Sequence, residues 1–453
     1  MPIPIEEISK FPLPGMDFPS SFSFSPDGKY LTYLKSVDSS GYKGLYGLDL
    51  TDKSEFLIAD KLGDPSAKET LEEQLRRQRL RQMSGGISQY FWTKDSKILI
   101  PYQGNIYWLE GPFSTPEILV SASNHPCLDV KASPNGKFIS FVSNGDIHLL
   151  EVTSRRSFQL TDGEDDLTRG VADYIAQEEM DRSTGYWWSP DSCYVAFTEV
   201  TEKHIPEFLI THVGSDLVGT NAIESHRYPF AGQDNPKVRV GIAEVDSKEC
   251  VWVESTVDEY IARVDWFPDN SLALQTESRD QQHLKVRKFS IENSTLTTVL
   301  EENSETWINL HNMMRPLSSG RFLWASERTG FNHIYLFCEG DLLALTKGEW
   351  QVDSIESVDE SGGTFFFTGT KDGHTEKHLY KMSLEGESVE KVTSESGIHN
   401  VLINVKANLF VDVFNCLSSP PKVVLRSLGN NYEVEVVIHE SKDERIDRYQ
   451  LEP

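Results

Sequence analysis

Ser25-Pro26-Asp27-Gly28, followed by Tyr30, Leu31 and Tyr33, returns as Ser133-Pro134-Asn135-Gly136 before Phe138, Ile139 and Phe141. It returns again as Ser189-Pro190-Asp191-Ser192 before Tyr194, Val195 and Phe197. Proline pre-sets the second turn position, Asp or Asn tolerates unusual backbone angles, and glycine supplies a positive φ. Each corner therefore predicts a tight turn into a strand. The strand should alternate, with one face buried and the other less so. Weaker copies stand at Thr93-Lys94-Asp95-Ser96, Phe267-Pro268-Asp269-Asn270, Ser318-Ser319-Gly320, Glu360-Ser361-Gly362 and Lys406-Ala407-Asn408. A second pattern, Gly104-Asn105-Ile106-Tyr107, recurs at Gly145-Asp146-Ile147-His148, Asn332-His333-Ile334-Tyr335 and Lys377-His378-Leu379-Tyr380.

Eight corners predict an all-β chain, a β-propeller of eight four-stranded blades with short helical insertions. The competing arrangement is a β-sandwich followed by another β-domain. Corner spacing runs from about 40 to nearly 80 residues, against roughly 40–50 for a plain blade. Three insertions fill the long gaps: Asp64 to Met83, Asp162 to Thr184, and Thr201 to Val238. Insertions between blades map to one face, often the binding face.

Composition narrows the function. The chain has 453 residues, 11% aromatic and 25% charged, with a net charge of −27. An acidic surface argues against nucleic acid, whose phosphates need a basic one. No apolar run approaches the roughly 18 residues of a membrane span, and Met1 to Phe18 does not read as a secretory signal. Five dispersed cysteines (Cys127, Cys193, Cys250, Cys338 and Cys416) lack a CxxC pair. That spacing predicts reduced, buried thiols in the cytoplasm rather than disulfides or a zinc site. No P-loop, HExxH or dinucleotide fingerprint occurs, so no cofactor or metal is expected.

The second insertion holds Asp173-Tyr174-Ile175-Ala176-Gln177-Glu178-Glu179-Met180-Asp181-Arg182. Helix formers without Gly or Pro predict a short helix ahead of a blade strand. Alone, its acids read as a solvated face, and Trp187 and Trp188 as core. Adjacent glutamates point about 100° apart and can share one ligand only if a small cation sits beyond the helix tip.

Glu178-Glu179, Asp181-Arg182, Gly185-Tyr186-Trp187-Trp188 and Pro190 resemble the double-glutamate motif of the dipeptidyl peptidase IV subfamily of the prolyl oligopeptidase family, above all its cytosolic members. The likeness continues through Arg227-Tyr228-Pro229, Ala231-Gly232, Asn235-Pro236-Lys237-Val238, Ser326 to Tyr335 and Thr346 to Val352. It implies that Glu178 and Glu179 clamp the free ammonium of a peptide's first residue. It also implies that an arginine of Arg76-Arg77-Gln78-Arg79-Leu80-Arg81 binds a substrate carbonyl, with Arg81 the first candidate and Arg79 the second. An exposed basic helix paired with Glu69, Glu72 and Glu73 is the alternative for any one arginine.

The resemblance further implies a serine-type dipeptidyl peptidase that favours proline or alanine at position two. The family's Ser-Asp-His triad sits on an α/β-hydrolase domain with a G-x-S-x-G elbow, and these 453 residues contain no such elbow. The expected layout is a segment over 1–18 that would pack on the hydrolase domain, a propeller over 19–445 and the start of a linker over 446–453. The chain then reads as a truncated form without catalytic residues of its own. Its partners would be peptides with a free N-terminus and the hydrolase domain of the full-length protein, with no nucleic acid and no membrane. The competing function is a non-catalytic propeller acting as a protein-interaction scaffold. An N-terminal segment without its partner is expected to lack order.

Overall fold

The computed structural model describes all residues except 1–2, 12, 64–75, 80–84, 124–125, 164–165, 214–218, 255–258, 387, 443 and 450–453. It is a β-propeller of eight antiparallel blades, each built from strands taken in chain order, with a separate hairpin interposed in blade four. All eight corners join the first strand of a blade to its second, as in Ser20–Phe24 to Tyr30–Ser36 and Thr184–Trp188 to Tyr194–Thr201. The second sequence pattern opens the third strand, as in Asn105–Leu109, Asp146–Glu151, His333–Cys338 and His378–Ser383.

Four of the corners share one hydrogen-bond device. The buried Ser189 hydroxyl donates to Asp191 Oδ1 at 2.6 Å and accepts from the Tyr194 amide at 2.9 Å. Ser25 and Ser133 repeat it with Asp27 and Tyr30, and with Asn135 and Phe138. Thr93 repeats it with Asp95 and Lys97. One hydroxyl thus satisfies a backbone donor that the turn would otherwise leave unpaired.

Contacts group the blades into two units. One comprises Met1–Thr70, Arg81–Ala122 and His311–Pro453; the other comprises Leu71–Leu80 and Ser123–Leu310. The first unit holds blades one, two, six, seven and eight, and the second holds blades three to five.

The expected half-buried alternation does not hold for the second strands. Tyr194–Thr201 is buried at every interior position. Val195 and Phe197 enter a cluster with blade three (Ile147, Leu149), while Ala196 enters one with blade five (Leu272, Leu274). In the first unit, Phe365 and Phe367 pack toward blade six, and Phe366 toward blade eight. A blade has neighbours on both faces, so its middle strand loses both to the core. The polar alternation moves to the outer strands, such as Thr295–Asn303, which are largely exposed.

The last blade takes no strand from the N-terminus: its four strands lie between Ile398 and Glu440. Blade one meets it through an apolar cluster, with Leu31, Tyr33 and Leu48 against Val411, Val423 and Leu425. Within the 1–18 segment, Ile5–Ser9 forms a short helix, and Arg445 Nη1 donates to the Glu7 carbonyl at 2.8 Å.

Two of the three insertions do not lie between blades. The stretch Asp162 to Thr184 interrupts the first strand of blade four. Its residues Leu167, Thr168 and Arg169 pair with Thr201, Val200 and Glu199, beyond the point where Thr184–Trp188 leaves the same neighbour. Thr201 to Val238 leaves the same blade between its second and third strands as a hairpin of Glu207–Thr211 and Ile223–Arg227. Hydrogen bonding of the flanks to one shared strand fixes this placement, and linear spacing could not reveal it. The remaining insertion is described only at residues 76–79, which are helical.

Two substitutions test this packing. Phe197→Ala, at a side chain 1% exposed, is expected to cost about 3–5 kcal/mol. Ser189→Ala is expected to cost about 1 kcal/mol. Thermal unfolding should rank both below wild type in that order; equal Tm values would refute the account of the corner and of the two-faced strand.

Candidate functional site

The glutamate pair stands on a helix, Tyr174–Glu179, as the sequence predicts. Asp173 starts it, accepting the Ala176 amide at 3.1 Å as an N-cap. The other oxygen of the same carboxylate faces Arg182 Nη2 at 3.3 Å. Arg182 is 4% exposed and also donates to the carbonyls of Thr184 (3.0 Å) and Ile261 (3.2 Å). Its amide returns to the Ala176 carbonyl at 2.9 Å. Arg263, from the first strand of blade five, donates to the Met180 carbonyl at 2.7 Å. Two buried arginines therefore take up carbonyls around the end of the helix, where intrahelical partners run out.

Burial pulls the Arg182 basicity down, and Asp173 acts against this. Arg263 behaves likewise, with Asp181, Asp265 and Glu277 as the opposing acids. Glu277 itself is fully buried, and neither carboxyl oxygen has a hydrogen-bond partner among the described residues. Burial pushes its carboxyl up to about 7 while Arg263 pulls the other way.

Glu178 and Glu179 form the last two helical residues and both are exposed. Negative charge at a helix C-terminus opposes the backbone dipole, so the arrangement gains from a bound cation. Part of that demand is met within the chain. Arg79 Nε pairs with Glu178 Oε1 at 2.7 Å, Arg79 Nη1 donates to Gln177 Oε1 at 2.9 Å, and the guanidinium lies 5.4 Å from the Tyr174 ring centre. A guanidinium has five donors, and among the described residues Arg79 Nη2 has no partner, nor has the Glu179 carboxylate. The site thus presents an uncommitted carboxylate, a shared one and a fixed cation. It can grip an ammonium and an adjacent carbonyl together.

Beside Arg79 and Glu178 opens a cavity of about 640 Å³, lined also by Tyr174, Tyr228, Phe208 and Phe230. Desolvation, the Tyr228 contact and Glu178 push the Tyr174 phenol up to about 12, so it stays protonated. Trp187 and Trp188 pack against the blade clusters; the indole of Trp188 donates to Ser140 at 2.8 Å.

The structure brings Glu178, Glu179 and Arg79 to one helix tip. Arg81 lies outside the described residues. Sequence reading missed Arg263 and the aromatic wall, which come from distant segments. Sequence reading did not single out Asp173 as a helix cap either, although a short polar acceptor directly before helix formers is the signal for one.

Two variants probe this support. Arg182→Met leaves the Asp173 carboxylate buried and unpaired, and is expected to cost about 3–5 kcal/mol. Hydrogen exchange should show residues 173–182 losing protection first; unchanged protection would contradict the bracing role. Glu277→Gln removes a carboxyl whose folded value exceeds its unfolded one. The stability contributed by the protonated form is fully present below the unfolded value and is lost as pH rises through about 7. The variant's Tm should therefore exceed wild type near pH 8, and the gain should vanish near pH 5. A pH-independent difference would refute the buried-acid reading.

Residues 94–421 match the family model for the dipeptidyl peptidase IV (DPP IV) N-terminal region. Dipeptidyl peptidase 8 of Homo sapiens is 26% identical over 457 residues, covering 79% of this chain and 51% of that protein. A probable dipeptidyl-aminopeptidase B of Aspergillus niger is 28% identical over 296 residues, covering 58% of this chain and 33% of that one. The chain spans about half the length, or less, of these relatives. The crystal structure of Porphyromonas gingivalis dipeptidyl peptidase 4 superposes with a TM-score of 0.79 at 19% identity, covering 99% of this chain and 63% of that one. That likeness shows a shared fold. With its family model matched over most of its length, this chain belongs to the dipeptidyl peptidase IV N-terminal region family.

Proposed function

We propose that this chain recognises the free N-terminus of peptides, as the substrate-gating propeller of a serine-type dipeptidyl peptidase. The observation that carries the reading is the pair Glu178 and Glu179 at the tip of a helix braced by Arg182 and Arg263, with Arg79 alongside. An ammonium has three donors and no acceptor, which suits two carboxylates. A charge-assisted hydrogen bond contributes roughly 1.5–3 kcal/mol. Arg79, through Nη2, then takes the carbonyl of the peptide's first residue.

Fixing the ammonium turns the site into a ruler. Only the bond after the second residue would reach a nucleophile at a set distance, so position becomes specificity through orientation. The nucleophile belongs to the hydrolase domain of the longer protein, which would release dipeptides with proline or alanine second. The cysteines are free, which supports a cytosolic setting. Contrary to expectation, only Cys127 is buried, while Cys193, Cys250 and Cys338 are exposed. Among the described residues no helix is long and apolar enough to cross a membrane.

A second reading, an interaction scaffold, has one observation in its favour. The hairpin of blade four exposes Leu209 at 58% and Val213 at 92%. Such apolar exposure suits contact with another protein.

Calorimetric titration of a proline-second peptide into the chain separates the two readings. Glu178→Gln and Glu179→Gln should each weaken binding about 10-fold or more, and N-acetylation of the peptide should do the same. Binding indifferent to both changes would reject the clamp and favour the scaffold.

A further inference from the structure

Arg79 can serve the clamp only if its guanidinium stays in one place. A free arginine side chain samples many rotamers, and a ligand that had to select one would lose affinity to the ordering. Here three side chains of the clamp helix hold it. Glu178 Oε1 accepts from Nε at 2.7 Å, and Gln177 Oε1 accepts from Nη1 at 2.9 Å. The Tyr174 ring centre lies 5.4 Å from the guanidinium carbon. Adjacent helical residues project about 100° apart, so Gln177 and Glu178 reach the guanidinium from different sides.

Gln177 is itself fixed. Its Nε2 donates to the carbonyl of Ala172 at 2.6 Å, and Ala172 is buried. A backbone carbonyl only accepts, so this bond decides which end of the amide faces which partner. The nitrogen is turned to Ala172 and the oxygen to Arg79. The side chain thus ties the residue ahead of the N-cap Asp173 to the guanidinium at the far end of the helix. An amide suits this place better than a carboxylate. It accepts from the arginine without adding a third negative charge beside Glu178 and Glu179, where charge already opposes the backbone dipole. A carboxylate would also have no proton to offer the Ala172 carbonyl.

We infer that Gln177 is a positioning residue, which locks the fork of Arg79 in the orientation that leaves Nη2 for the carbonyl of the peptide's first residue. The inference rests on the N-terminus clamp proposed above and adds a member to it. With Nε and Nη1 committed, Nη2 is the guanidinium nitrogen without a partner among the described residues. Glu178 alone would let the fork swing about its Nε contact; the second bond, at Nη1, removes that freedom. Orientation fixed before binding is what such a residue contributes to affinity. Gln177 acts on the peptide only through Arg79.

The test is a double-mutant cycle on the binding of Ala-Pro-Ala, read by calorimetric titration. It uses wild type, Gln177→Met, Arg79→Met and the doubly substituted chain. Met is close to glutamine in length and carries no amide, Gln177 is half-buried, and circular dichroism checks that each variant folds. Gln177→Leu repeats the cycle with a second apolar side chain. Gln177→Met should weaken binding about 10-fold in the wild-type background, the loss expected for a hydrogen bond to a charged group. In the Arg79→Met background the same change should have an effect below about 2-fold. Equal weakening in both backgrounds means that Gln177 only braces the helix, and overturns the inference while the clamp stands. No weakening in the wild-type background overturns it as well. Wild-type binding indifferent to N-acetylation of the peptide, or no binding at all, overturns the clamp and this inference together.

Discussion

The contact between Asp173 and Arg182 is the constraint on which the site depends. One carboxylate caps the start of a six-residue helix and neutralises the arginine that holds its end. Helices this short do not persist in water, because nucleation fixes several residues for few hydrogen bonds. Here the missing stability comes from a buried cation tied to the carbonyls of Thr184 and Ile261, and from Arg263 on Met180. The cost of burying those charges is offset only by complete hydrogen bonding. The helix tip is therefore rigid where its exposed glutamates are chemically strained, with two negative charges at the negative end of the backbone dipole. That combination favours binding a cation over stability of the empty site.

The propeller makes this possible by giving blade four a firm second strand. Tyr194–Thr201 is packed on both faces. It carries the split first strand on one side and the hairpin-bearing third strand on the other. Both insertions thus start from residues that cannot shift without breaking the core. A clamp and an aromatic wall can grow from one blade without weakening the others.

Much of the fold was legible in the sequence because corner chemistry is local. Ser189, Pro190 and Asp191 close their turn with bonds inside a few residues, so the pattern survives in a linear reading. The burial of both faces of Phe138–Ser143 or Tyr194–Thr201 was not legible, since it depends on neighbouring blades far away in the chain. The interruption of blade four was hidden for the same reason: Leu167–Val171 is recognised as a strand by pairing with Glu199–Thr201 and with Thr184 and Gly185. At the site, the helix and its acids could be read from residues 173–182. Their supports could not, because Arg263 and Phe230 come from segments separated by tens of residues. Arg79 was legible as a member of a basic run, and only its 2.7 Å contact with Glu178 singles it out.

The most direct measurement of the central claim is a crystal structure of the chain with a bound proline-second tripeptide. The account predicts the peptide's ammonium nitrogen within hydrogen-bonding distance of both Glu178 and Glu179, with Arg79 on the carbonyl of the first residue. A peptide bound with its ammonium away from both carboxylates, or with its C-terminal carboxylate on Arg79, would contradict it.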